Sequence, residues 1–380
     1  MLALVFVHGY NLRDNYLQPF TMPGEPMTAT AFGEYLLANG LLRFRIPMLF
    51  AISGYLFALG DGRPFWPRLG RRLRTLGVPY LAWCGLAIGL AAVLTWAHPL
   101  TRAAVLGAQL GIFGMAPVWQ AGWLEWVHGF TVQPLGFQLW FIRTLLLCNL
   151  LYPLWRAIAM GPGWGRWVAY GLLGAAWVLG MEFPFVVPEG LLFFLLGVQY
   201  AKRGLPAAAP WPLWLAAALW VGLCVAKTYV AFHVEWHTLV ANPQTDADYS
   251  LRLLLPAGSV NLPPTAYFMG MILVHRLAEI AGLITAWYGL EGLARRAMAW
   301  RPFAWASAFS FFLFMGHEPL LHYVQGTLNL AVPHFALFRL ATYVLVPTAV
   351  IVLLIASGAA LRAAWPAAYR LLTGGRGQGI

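Results

Sequence analysis

Charge is what this sequence has least of. Among its 380 residues 10% are charged, and only 13 are acidic against 24 lysines and arginines. Soluble domains carry about 25% charged residues, so a water-soluble core is excluded. With 61% hydrophobic residues and a mean hydropathy of +0.68, the chain belongs in a bilayer. A β-barrel would alternate polarity over short segments. Here the apolar runs are continuous, which leaves helices as the structure that satisfies its own backbone in lipid. Cysteine is scarce as well: Cys84, Cys148 and Cys224 sit in apolar runs with no paired spacing, which excludes a disulfide framework and a cysteine metal site. Also missing are a Gly-x-Ser-x-Gly elbow, a phosphate-binding glycine loop and His-Glu-x-x-His. Serine hydrolase, nucleotidase and zinc protease readings fall with them. No cleavable signal peptide is expected from Met1 to Val7, a stretch that lacks a basic region and a small-residue cleavage site.

What is present is a series of apolar stretches, at 1–10, 35–60, 77–97, 138–157, 167–183, 188–201, 211–230, 264–290, 303–325 and 337–361. A crossing takes about 20 residues, so an all-α polytopic membrane protein of about ten transmembrane helices is expected, the first of them incomplete. Basic residues then set the orientation. Arg63, Arg68, Arg71, Arg72 and Arg74, then Arg156 and Arg166, Lys202 and Arg203, Arg295, Arg296 and Arg301, and Arg362, Arg370 and Arg376 fall on one set of connections. The opposite set carries only Arg13, Arg102 and Arg252, and also holds Asp14, Glu25, Glu34, Glu125, Glu182, Glu189, Glu235, Asp246 and Asp248. Ten crossings with both termini in the cytoplasm put every basic cluster inside. The net charge of +11 is therefore read as topology, and no nucleic-acid partner is expected. The chain reads as a single domain over 1–370 with a short disordered tail, 371–380. Trp119, Trp123 and Trp126, on the large outer connection 98–137, are spaced to share a helix face lying at the membrane surface.

Several polar residues stand out against this background. His8 ends the first stretch, where a histidine is either a base or nucleophile or an interfacial ring bonded to a backbone carbonyl. Arg43, Arg45 and Arg143 lie in apolar surroundings, and their combination points to a polar cavity. Arg68, Arg71, Arg72 and Arg74 face anionic headgroups or hold the phosphates of a cytoplasmic cofactor, for which guanidinium forks are suited. His317 and Glu318 are adjacent inside an apolar helix and either bond neighbouring helices or line a substrate path. His233-x-Glu235-x-His237 lacks a third ligand of the right kind, so no metal site is expected.

Taken in order, these pieces resemble the acyltransferase 3 family of polytopic membrane acyltransferases. Val5-Phe6-Val7-His8 is similar to the end of its first helix. Arg43 to Leu56 resembles its arginine, valine-proline and phenylalanine-serine-glycine signature, and Arg71 to Trp83 its basic loop followed by Pro-Tyr and tryptophan. Leu139 to Leu145 resembles its Leu-Trp-Phe run with arginine, Phe193 to Gly197 its Phe-x-x-Gly helix, and Phe311 to Leu320 its late helix with His-x-Pro-Leu. Many members carry an arginine eleven residues before the histidine, a position upstream of Met1. The resemblance implies transfer of an acyl group, often acetyl from acetyl-CoA, to a hydroxyl of an extracytoplasmic carbohydrate or glycoconjugate. It implies His8 as the catalytic histidine, Arg43 and Arg143 as site arginines, and Arg71, Arg72 and Arg74 toward the acyl-CoA. Ser53, Trp140, His317 and Glu318 are then expected along the acceptor's path. The implied location is the bacterial cytoplasmic (inner) membrane, with lipid as the surrounding partner. The competing reading is a transporter or flippase for a lipid-linked sugar or an acyl group, although no half-to-half repeat of the kind transporters carry is visible.

Overall fold

The computed structural model describes residues 2–9, 26–108, 118–132, 134–181, 183, 185–206, 208–233, 250–252, 259–261, 266–335 and 337–377. Among them the chain is helical, apart from one antiparallel hairpin that pairs Ser250–Arg252 with Ser259–Asn261. Glu235 and His237, which gave the weak metal pattern, lie outside the described residues.

Five helical stretches among the described residues are long and apolar enough to cross a membrane: Ala29–Gly62, Phe65–Ala97, Leu213–His233, Met269–Gly289 and Phe338–Ala364. A sixth arises if Leu139–Leu150 and Tyr152–Met160, bent by 62° at Leu151, form one crossing. The bend has a local cause, since Pro153 sits in the first turn of the second piece, where it cannot donate to a helix continuing from before it. The difference from ten apolar stretches has physical reasons. Gly163–Val178 and Pro188–Arg203 have 16 residues each, about 24 Å at 1.5 Å per residue, against a hydrocarbon thickness of about 30 Å. Ser310–Ala331 is long enough but carries polar residues and is broken at Glu318, whose φ −108° and ψ 140° are non-helical. The first helix, Leu2–His8, has seven residues.

Packing divides the chain into two units, one made of residues 1–11, 69–146 and 296–380, the other of 12–68 and 147–295. In the first, the core is built from Val5, Phe309, Phe312, Leu313, Leu321, Val346, Val350, Leu354 and Tyr369. The Leu2–His8 helix lies on the Ser310–Ala331 and Phe338–Ala364 helices. The end of the chain, read from the sequence as a tail from 371, begins inside the helix Pro366–Thr373. It continues through Gly374 in the left-handed region, φ 62°. Trp83 Nε1 donates to Leu372 O at 3.0 Å, Arg376 Nη1 to Thr75 O at 2.6 Å, and Arg362 Nη1 to Gly377 O at 2.8 Å. Burial, and after it the like charge of Arg72, push the Arg376 guanidinium down to about 10. The outer tryptophans divide: Trp119 belongs to a turn at Val118–Gln120, and a helix starts afresh at Trp123. Gly122 caps that start, its N–H donating to Glu125 Oε2 at 2.6 Å.

In the second unit the closest helix pair is Arg45–Leu59 against Pro188–Arg203. A Cβ on Gly54 would stand 2.2 Å from Phe194 O, and one on Gly197 would stand 1.9 Å from Ala51 O. These glycines let two backbones touch, the small-residue contact that membrane helices use in place of a hydrophobic driving force. The Ser53-Gly54 signature thus has a packing role. At the end of the same helix, Asp61 gathers Arg68 at 2.8 Å, Arg156 at 3.0 Å, Lys202, and the Tyr152 hydroxyl at 2.7 Å.

Candidate active site

In the first unit, a proline builds the site. Pro319 has no N–H, so within the Ser310–Ala331 helix the carbonyl of Met315 loses its usual partner, and the residue before a proline is steered away from helical angles. Gln138 answers this: its Nε2 donates to Met315 O at 2.7 Å and to Glu318 O at 3.0 Å. The break turns Glu318, whose side chain is only 1% exposed, toward two imidazoles. Its Oε2 accepts a hydrogen bond from His322 Nδ1, one helical turn on. Its Oε1 stands 4.0 Å from His8 Nδ1. That separation is ion-pair range rather than a hydrogen bond, and catalytic hydrogen bonds commonly tighten only in the substrate complex.

His8 is held at the mouth of this arrangement. Its helix ends at Gly9, whose N–H still bonds Val5 O at 2.8 Å. Gly9 O accepts from Gln325 Nε2 at 2.6 Å, which fastens the end of the short helix to the long one. The His8 ring lies 5.4 Å from the His317 ring and meets Phe137 edge-on at 6.0 Å. The tautomer of His317 is fixed by its neighbours: Nδ1 faces the carbonyls of Phe314 at 2.8 Å and Leu313 at 3.2 Å. Carbonyls only accept, so Nδ1 carries the proton. Nε2 is then a buried acceptor with no hydrogen-bond partner among the described residues. The centre therefore offers one buried carboxylate, one partly exposed imidazole at 17%, and a second imidazole with a lone pair to spare. Such a set can take a proton from a hydroxyl and stabilise the resulting imidazolium. Among the described residues no group of three His, Cys, Asp or Glu is placed to hold a metal.

The structure thus brings together His8, His317 and Glu318 of the residues singled out from sequence. It adds His322 and Gln138, which sequence reading missed. Arg143 lies in the same unit, half-buried, with Nη1 donating to Thr131 O at 3.2 Å. Trp140, three residues earlier on the same helix, is also half-buried. Arg71 and Arg74 are exposed and Arg72 half-buried, in and just after the helix Phe65–Arg72. Arg43 and Ser53 belong to the other unit. There Arg43 lies within electrostatic reach of Lys227 and Glu189, and Ser53 is half-buried beside Gly54. Glu34 and Glu189, counted from sequence among connecting residues, are built into helices, Ala29–Leu36 and the first turn of Pro188–Arg203.

Fold and site together define a helical membrane protein with a buried carboxylate set against two imidazoles. The chain belongs to the acyltransferase 3 family, whose model, described as an acyltransferase domain, matches residues 1–361. It is an acyltransferase acting on groups other than aminoacyl groups. It is similar to the succinoglycan biosynthesis protein ExoH of Rhizobium meliloti (strain 1021), with 26% identity over 393 residues covering 98% of this chain and 89% of that one. No solved structure matches.

Proposed function

We propose that this protein transfers an acyl group, acetyl in the first instance, from acyl-CoA to a hydroxyl of an extracytoplasmic carbohydrate or glycoconjugate. The observation that carries the reading is the convergence of His8 on Glu318, residues 310 positions apart in the chain, in one buried centre. Likeness to a protein named for succinoglycan biosynthesis supports a polysaccharide acceptor.

In this scheme His8 takes the proton of the acceptor hydroxyl as its oxygen attacks the thioester carbonyl. A tetrahedral oxyanion forms, stabilised by a guanidinium, for which Arg143, in the same unit as His8, is the candidate. Collapse breaks the carbon–sulfur bond, and the proton returns from His8 to the leaving thiolate, giving the ester and free CoA thiol. Glu318 supports the imidazolium through the middle of this sequence, while His322 holds the far carboxylate oxygen. Arg71, Arg72 and Arg74 hold the donor's phosphates at the cytoplasmic face. Trp140 and His317 line the acceptor's path.

The proposed orientation lies in the cytoplasmic membrane with an even number of crossings and both ends inside. Two observations support it. Asp61 bonds Arg68, Arg156 and Lys202, one from each of three basic stretches read as cytoplasmic. Arg376 donates to Thr75 O beside Arg74, one of the arginines read as cytoplasmic, which supports a cytoplasmic end of the chain. The test uses the full chain in membrane vesicles, with acetyl-CoA radiolabelled on the acetyl group and a polysaccharide acceptor. Alkali-labile label on the glycan is expected. A glycan that stays unlabelled while label crosses the membrane would overturn the reading in favour of transport.

A further inference from the structure

Gln138 has no part in the transfer scheme, yet it is 2% exposed and committed to the backbone beneath Glu318. It stands just before the helix Leu139–Leu150. The turn around it is closed by Leu139 N–H to Gly136 O at 3.0 Å and by Phe141 N–H to Gln138 O at 3.2 Å. Its side-chain nitrogen has two protons to give. That nitrogen stands 2.7 Å from Met315 O and 3.0 Å from Glu318 O. The first carbonyl is the one that Pro319 leaves without its helical partner, and the second belongs to the residue whose backbone angles are non-helical.

Two further observations tie this amide to the break. The carbonyls just before it, Leu313 O and Phe314 O, are met within the helix by His317 Nδ1 at 3.2 and 2.8 Å, so the bonds from Gln138 fall on the break itself. The turn that carries Gln138 is also pressed against it. A Cβ on Gly136 would stand 3.3 Å from Glu318 O and 3.4 Å from Gln138 Oε1. Glu318 is thereby held at both ends, its backbone carbonyl by Gln138 and its Oε2 by His322 Nδ1. The oxygen left over is Oε1, 4.0 Å from His8 Nδ1.

We propose that Gln138 is a positioning residue for acyl transfer: its amide holds the break in the Ser310–Ala331 helix so that Glu318 Oε1 is aimed at His8. The inference rests on the reading of His8 as the base. Without the amide, two carbonyls lose their donor in a water-poor interior, where an unmet backbone group drives the chain to rearrange. The backbone at Glu318 then turns toward another donor, and the carboxylate turns with it. A misplacement of about 1 Å can cost about 10²-fold in rate.

The test reads kcat per folded protein, with acetyl-CoA and a polysaccharide acceptor in membrane vesicles. Gln138→Met keeps the length of the side chain and removes both donors. It should lower kcat about 10-fold, within the cost of misplacing a supporting group, and leave the KM for acetyl-CoA unchanged. In a Glu318→Gln background the same substitution should cost nothing further, since no carboxylate remains to be aimed. Gln138→Asn keeps the amide but withdraws it by one methylene, and should fall between wild type and Gln138→Met. An amide that only stabilises the fold would lower the melting temperature and leave the kcat of the folded fraction in place. Three results would overturn the proposal: a folded Gln138→Met protein with wild-type kcat, an equal loss in both backgrounds, or failure of both Gln138 variants to accumulate. A wild-type protein that transfers no acyl group overturns the functional reading itself, and this inference with it.

Discussion

Replacing His8 by alanine should abolish acyl transfer while leaving the protein folded in the membrane. The expected loss is on the order of 10²–10⁴-fold, the contribution of a positioned general base. The protein should survive the change because of where His8 sits. It ends a short helix with its side chain 17% exposed, so truncation opens no sealed core cavity. The fastening of that helix runs through Gly9 O and Gln325, which the substitution leaves in place. Turnover is measured with radiolabelled acetyl-CoA, and yield and melting temperature are measured in parallel. Wild-type turnover would remove His8 from the chemistry, and an inactive protein that also fails to accumulate would show a structural role instead.

The second large effect concerns the glycine contact. Gly197→Ala puts a Cβ 1.9 Å from Ala51 O, far inside van der Waals contact. The obstacle is main chain, which cannot rotate away, so the helices Arg45–Leu59 and Pro188–Arg203 must separate. We expect a loss of at least about 3 kcal/mol, at the upper end of overpacking costs, read as a collapsed melting temperature and poor recovery of intact protein. Gly171→Ala provides the control: it is also a glycine inside a helix of that unit, but nothing lies within 4 Å of its added methyl. It should be neutral or slightly stabilising, as alanine is the better helix former by about 1 kcal/mol. Equal behaviour of the two variants would refute the close-packing account.

Composition alone marked the chain as helical and membrane-bound, because a sequence with so few charges has no soluble alternative. Crossing number was less legible, since it depends on where helices break. Leu151 ahead of Pro153, and Glu318 ahead of Pro319, interrupt apolar runs that look continuous. His8, His317 and Glu318 stood out as polar groups in apolar stretches. His322 had a readable signal, one turn beyond Glu318 on the same helix. Gln138 had none, for its task arises only when Pro319 strips Met315 O of its partner, 177 residues away. Lys227, Arg276 and Glu279, with His275 beside them, were in plain view as polar residues within the stretches 211–230 and 264–290. A reading that uses charge to orient loops passes over charge placed inside the crossings.

The central claim is that His8 and Glu318 act as one device. The measurement that bears on it most directly is a double-mutant cycle on kcat for His8→Ala, Glu318→Gln and the pair. A base and the carboxylate that supports it lose function together, so their effects are not additive. Glu318→Gln alone should cost roughly 10-fold or more, within what general-base assistance supplies, and the double variant should be no slower than His8→Ala. Losses that multiply, or a Glu318→Gln protein as active as wild type, would contradict the claim.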